Sequence, residues 1–79
     1  MVTIYTKNNC QPCKITKLML DQAGIEYVER NVEEDQEAYE AAEATGYRSV
    51  PIVDAGKHGT WAGLRPDLVQ DLIDNKKGN

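Results

Sequence analysis

Seventy-nine residues, 41% of them hydrophobic and 28% charged, make one domain over residues 1–79, near the lower end of what a single core supports without a staple. Thirteen acidic residues against nine basic ones leave a net charge of −4, which argues against a nucleic-acid partner. No basic-then-apolar leader opens the chain and no apolar run approaches bilayer length, so neither export nor membrane insertion is supported and the cytoplasm is the expected location.

Val2-Thr3-Ile4-Tyr5-Thr6 is rich in β-branched and aromatic residues and predicts a strand, which the turn formers Lys7-Asn8-Asn9 break. Cys10-Gln11-Pro12-Cys13 follows and holds both cysteines of the chain. Beyond it, Ile15, Leu18 and Met19 recur at helical spacing, and Gly24 stands where a helix ends. Cys10 therefore falls in a loop and Cys13 in the first turn of a helix, with Pro12 at the first or second helical position, where a missing N–H costs little.

A thiol at a helix N-terminus faces unpaired backbone N–H groups and the positive end of the macrodipole, both of which favour its thiolate. Cys10 is the expected nucleophile, its pKa lowered from about 8.5 toward about 7 as in other such motifs, with Lys7 and Lys14 adding positive potential. Cys13 is the expected resolving thiol. Two cysteines and one histidine fall short of the four ligands of a closed zinc site, so no metal is assigned. A bridge across two residues also closes too small a loop to serve as a structural staple.

Ile25 to Val32 reads as a second strand, parallel to the first across a βαβ crossover. Ala38, Tyr39 and Ala42 mark a second helix, with Glu33, Glu34 and Asp35 suited to its N-terminal dipole and Gly46 closing it. The acidic run from Glu26 to Glu43 reads as a solvated face. Tyr47 to Val53 reads as a short apolar strand with Pro51 near its start, Asp54 to Gly59 as a turn, and Thr60-Trp61-Ala62 as the closing strand of a hairpin. Gly63 bends the backbone and Pro66 opens a last helix, whose buried stripe is Leu68, Val69, Leu72 and Ile73 and which ends at Lys76-Lys77-Gly78. The order is βαβαββα, an α/β chain.

With its C-x-x-C directly after the first strand and Val50-Pro51 opening the third, this chain resembles the glutaredoxin branch of the thioredoxin fold, a four-stranded mixed sheet flanked by three helices. More narrowly, Ile4-Tyr5-Thr6, Gly46-Tyr47-Arg48-Ser49-Val50-Pro51 and Trp61-Ala62-Gly63-Leu64-Arg65-Pro66-Asp67 are similar to NrdH-redoxins, glutaredoxin-like proteins that behave like thioredoxins and reduce class Ib ribonucleotide reductase. The dipeptide Gln11-Pro12 departs from the usual ones of both groups, and Leu64-Arg65-Pro66 stands where glutaredoxins carry glycine and polar residues that hold glutathione.

The resemblance implies a dithiol–disulfide oxidoreductase that uses the Cys10–Cys13 pair and no other cofactor. Its expected partners are thioredoxin reductase and class Ib ribonucleotide reductase, and it is expected to act as a monomer. It also implies that Pro51 is cis beside the dithiol, with Val50 offering backbone hydrogen bonds to a bound peptide; the residues alone favour a trans proline on an edge strand, as most X-Pro bonds are trans. Trp61, Gly63, Arg48 and Arg65 are the remaining candidates for partner contact, although packing and ordinary surface charge describe Trp61 and the two arginines as well. His58 reads as an exposed turn residue. Two alternatives stay open, a glutathione-dependent glutaredoxin and a metal or iron–sulfur module bridging two chains through Cys10.

Overall fold

The computed structural model describes residues 1–77. Its elements are β1 (Val2–Thr6), α1 (Gln11–Gln22), β2 (Tyr27–Asn31), α2 (Gln36–Ala44), β3 (Ile52–Asp54), a 3-10 turn (Gly56–His58), β4 (Thr60–Ala62) and α3 (Pro66–Lys77). The strands form one mixed sheet in the order β2-β1-β3-β4. β1 runs parallel to β2, with Val2 opposite Tyr27 and Thr6 opposite Asn31, and antiparallel to β3, with Tyr5 opposite Ile52. The expected Gly78 at the end of α3 lies outside the described residues, as do the side chains of Lys76 and Lys77.

Strand alternation splits the apolar residues between two faces. Val2, Ile4, Val53 and Trp61 pack with Leu20 of α1 and Val69, Leu72 and Ile73 of α3 in the larger core, whereas Tyr5 and Ile52 pack with Ala42 of α2 on the other face. Each large side chain so buried contributes roughly 1.5–3 kcal/mol. The larger core thus lies beneath the helix that carries the dithiol and fixes it to the central strands.

Four boundaries or faces differ from the sequence-based expectation. The buried face of α1 is Cys13, Thr16 and Leu20, while Ile15 and Leu18 are exposed and Met19 half-buried. A polar residue can lie on that face because the Thr16 hydroxyl donates to the Pro12 carbonyl at 2.9 Å. β2 starts at Tyr27 rather than Ile25 and stops at Asn31 rather than Val32; at its start, the Ile25 N–H is committed to the Leu20 carbonyl at 3.0 Å, where the chain leaves α1 through Gly24 at φ +71°. β3 is three residues long and begins after Pro51, which has no N–H for a ladder, so Tyr47 to Val50 stay outside it. In α2 Ala38 and Ala42 are buried but Tyr39 is exposed, and Asp35 caps the helix by accepting the Glu37 N–H at 3.0 Å.

Candidate active site

Cys10 is the N-cap of α1, in extended backbone at φ −111° and ψ 103°. Its sulfur accepts the backbone N–H of Cys13 at 3.2 Å, and its carbonyl accepts the N–H of Lys14 at 3.2 Å, the first bond of the helix. The two cysteines form a disulfide, with Cα atoms 5.3 Å apart. Cys13 is 1% exposed and Cys10 5%. Pro12 occupies the first turn, which holds no acidic residue to compete for the helix's positive end. Once the bond is reduced, the N–H that touches Cys10 can hold a thiolate there. Gln11 and Pro12 are exposed above the pair, as are the nearby Lys7 and Lys14.

The second part of the site comes from the other side of the sheet. Because Tyr5 pairs with Ile52, Pro51 lies just before β3, toward the end of β1 from which the Cys10 loop departs. The Val50–Pro51 bond is cis. On its far side, Ile52 pairs with Ala62, and the Gly63 N–H donates to the Pro51 carbonyl at 2.8 Å. Gly63 makes that bond at φ +85°, a conformation that suits a residue without Cβ. Cys10, Cys13, Val50, Pro51 and Gly63 are therefore gathered at one end of the sheet by strand register alone.

The other candidates are placed differently. Trp61 is 6% exposed and faces the larger core from β4, and its buried Nε1 has no hydrogen-bond partner among the described residues. Arg48 is exposed beside a cavity of about 310 Å³, which it lines with Val50, Tyr47, Tyr39, Ala42 and Val32. Arg65 is exposed and grips its own neighbour Asp67 at 3.2 and 3.0 Å; that hydrogen-bonded pairing raises the guanidinium pKa and holds the carboxyl below its ordinary value. His58 lies in the β3–β4 turn, at the opposite end of the sheet from the dithiol.

Two polar networks beside the site were not foreseen from the sequence. Glu29 Oε2 accepts from the buried Thr6 hydroxyl at 2.8 Å and from Lys17 Nζ at 2.9 Å. Burial would raise the Glu29 carboxyl, but hydrogen bonds from Lys17 and Thr6 and the lysine's charge hold it below its ordinary value. The second network joins Asn8, in the loop before Cys10, to Asn31 and Glu33 after β2. Only the turn-forming character of Asn8-Asn9 was visible beforehand, because the partners lie 23 and 25 residues away. Among the described residues no three His, Cys, Asp or Glu side chains converge as a metal site.

Residues 2–58 match the family model of glutaredoxin. The glutaredoxin-like protein NrdH of Escherichia coli strain K12 is 41% identical over 71 residues, 90% of this chain and 86% of that protein. NrdH of Lactococcus lactis subsp. cremoris is 36% identical over 72 residues, 91% of this chain and 99% of its own length. Among solved structures, the glutaredoxin-like protein NrdH-redoxin from E. coli, described as having a thioredoxin-like activity profile, superposes with a TM-score of 0.82 at 41% identity, over 90% of this chain and 92% of that one.

Proposed function

We propose an electron route for a chain that belongs to the glutaredoxin family, as one of its NrdH-like members, and that is a thiol–disulfide oxidoreductase. Two electrons enter from a flavoprotein thioredoxin reductase and leave to a protein disulfide, that of a class Ib ribonucleotide reductase. The observation that carries this reading is the Cys10 sulfur at the start of α1, 3.2 Å from the Cys13 N–H.

In the reduced chain the Cys10 thiolate attacks one sulfur of the partner's disulfide. A mixed disulfide forms and the partner's other sulfur leaves as thiolate, taking up a proton from solvent. Cys13 loses its proton, attacks the Cys10 sulfur and restores the internal disulfide, releasing the partner's second sulfur. The partner has gained two electrons and two protons, and the reductase returns both to the Cys10–Cys13 pair. No further cofactor takes part, and the chain works as a monomer in the cytoplasm.

The backbone of Val50, beside Pro51 at the same end of the sheet, is the place for the partner's extended segment. Gly63-Leu64-Arg65-Pro66 supports thioredoxin reductase over glutathione as donor. A glutathione site needs N–H groups and polar side chains converging on a small charged peptide, whereas Pro66 lacks an N–H, Leu64 is apolar and Arg65 is engaged by Asp67. The 41% identical E. coli protein with its thioredoxin-like profile supports the same reading.

The test is deoxyribonucleotide formation by a class Ib ribonucleotide reductase supplied with NADPH, thioredoxin reductase and this chain. Turnover should saturate with the chain and vanish with Cys10→Ser. Turnover no greater than in the chain-free control contradicts the partner assignment.

A further inference from the structure

We infer that Asn8, Asn31 and Glu33 are positioning residues that clamp the loop delivering Cys10 and thereby set the reactivity of its sulfur; this deepens the oxidoreductase reading and rests on it. The backbone ladder between β1 and β2 ends where the Val32 N–H donates to the Thr6 carbonyl at 2.8 Å. Side chains take over from there. Asn31 Nδ2 donates to Asn8 Oδ1 at 3.0 Å, and the Asn8 N–H donates to Glu33 Oε1 at 2.9 Å. Asn31 is itself held, its Oδ1 accepting the N–H groups of Glu33 at 2.8 Å and Glu34 at 3.2 Å. The loop is thus gripped by both the backbone and the side chain of Asn8.

Only Asn9 separates that grip from the nucleophile, and it is the one described residue other than glycine with positive φ, at +57°. A residue there has a narrow range of backbone freedom. Fixing Asn8 therefore fixes the entry angle of Cys10 and the placement of its sulfur at the 3.2 Å contact with the Cys13 N–H. The field of a helix terminus falls off within its first turn, so a small displacement of the sulfur weakens the thiolate more than it weakens the fold. Such reacting groups have to be held within roughly 0.5 Å of their productive position.

Glu33 allows geometry and charge to be separated. As a hydrogen-bond acceptor it steadies the loop, but as an anion held on the Asn8 N–H, two residues before Cys10, it opposes a developing thiolate. Replacing it by Gln keeps an acceptor and removes the charge, whereas Ala removes both. A clamp predicts opposite outcomes for the two; a purely electrostatic neighbour predicts the same direction for both.

The experiment uses reduced full-length chain and measures the pH midpoint of Cys10 alkylation, kcat and KM for disulfide reduction, and the melting temperature. Asn8→Ala and Glu33→Ala should raise the midpoint by about one pH unit, which from a midpoint of about 7 is roughly a fivefold loss of thiolate at pH 7, and lower kcat with KM for the partner unchanged. Glu33→Gln should return the midpoint to the wild-type value or below it. The inference is overturned if both Ala variants keep the wild-type midpoint, whatever their melting temperatures, or if Glu33→Gln raises it as far as Glu33→Ala does. Either failure leaves the dependence of reduction on Cys10 intact, whereas activity surviving Cys10→Ser would overturn the oxidoreductase reading itself.

Discussion

The Cys13 backbone N–H points at the Cys10 sulfur from 3.2 Å, a contact that would stabilise a thiolate at Cys10 once the disulfide is reduced. Of the two thiols, Cys10 has this contact and Cys13 lies deeper. Cys10 should therefore be alkylated by iodoacetamide well before Cys13 at pH 6, as read by mass spectrometry. Cys13→Ser should trap a mixed disulfide between Cys10 and its target. Equal alkylation rates would contradict the assignment.

Gly63 meets Pro51 through one N–H, on the only ladder group that a proline can offer. Among the described residues nothing within 4 Å would obstruct a Cβ at Gly63, but φ +85° would be strained for any L side chain. Gly63→Ala should cost about 1–2 kcal/mol and, by shifting the Pro51 segment, raise KM for the protein partner while reduction of a small disulfide such as DTNB stays near wild type. Urea unfolding and the two kinetic assays separate these effects. An unchanged KM in the folded variant would remove Gly63 from the partner-facing site.

The buried Nε1 of Trp61 has no hydrogen-bond partner among the described residues, which makes the indole's bulk more important than its N–H. Trp61→Ala should cost about 3–5 kcal/mol, a large share of what a small domain has. Trp61→Phe, which keeps an aromatic ring and removes the unpaired donor, should cost much less. If the Phe variant were as unstable as the Ala variant, the N–H would have to have a partner after all.

Glu29 gives a pH signature. Its folded pKa lies below its unfolded value, so the unfolded chain binds more protons across the ordinary glutamate range of about pH 4 to 5. The stabilisation it supplies is complete above that range and is lost as pH falls below it, through the lowered folded pKa. With the Lys17–Glu29 pair partly exposed, the effect is at most about 1 kcal/mol. Glu29→Gln should therefore lower the urea midpoint more at pH 7 than at about pH 3. An equal difference at both pH values would show that the charge is not what matters.

Much of the site could be read from the chain because its chemistry is local. Cys10, Pro12 and Cys13 are adjacent in sequence, and a turn followed by a helical pattern is enough to place one sulfur at the helix start. Val50-Pro51 and Gly63 were legible only through family resemblance, since their meeting depends on the β1–β3 and β3–β4 registers. The phase of α1 was misjudged because Ile15 and Leu18 look like core, while the buried Thr16 pays for its place with a hydrogen bond to Pro12. The Asn8–Asn31–Glu33 contacts left no local pattern, because polar turn residues look alike whether or not they meet a partner across the fold.

The electron donor tests the central claim most directly. A potential near about −270 mV, as in thioredoxin, rather than the roughly −200 to −230 mV of glutaredoxins, leaves glutathione a weak reductant and suits a flavoprotein reductase. The measurement is NADPH oxidation coupled to disulfide reduction by this chain, with thioredoxin reductase in one arm and glutathione plus glutathione reductase in the other. The predicted result is a kcat/KM for the thioredoxin reductase arm far above that of the glutathione arm. A glutathione arm that equals or exceeds it would contradict the account.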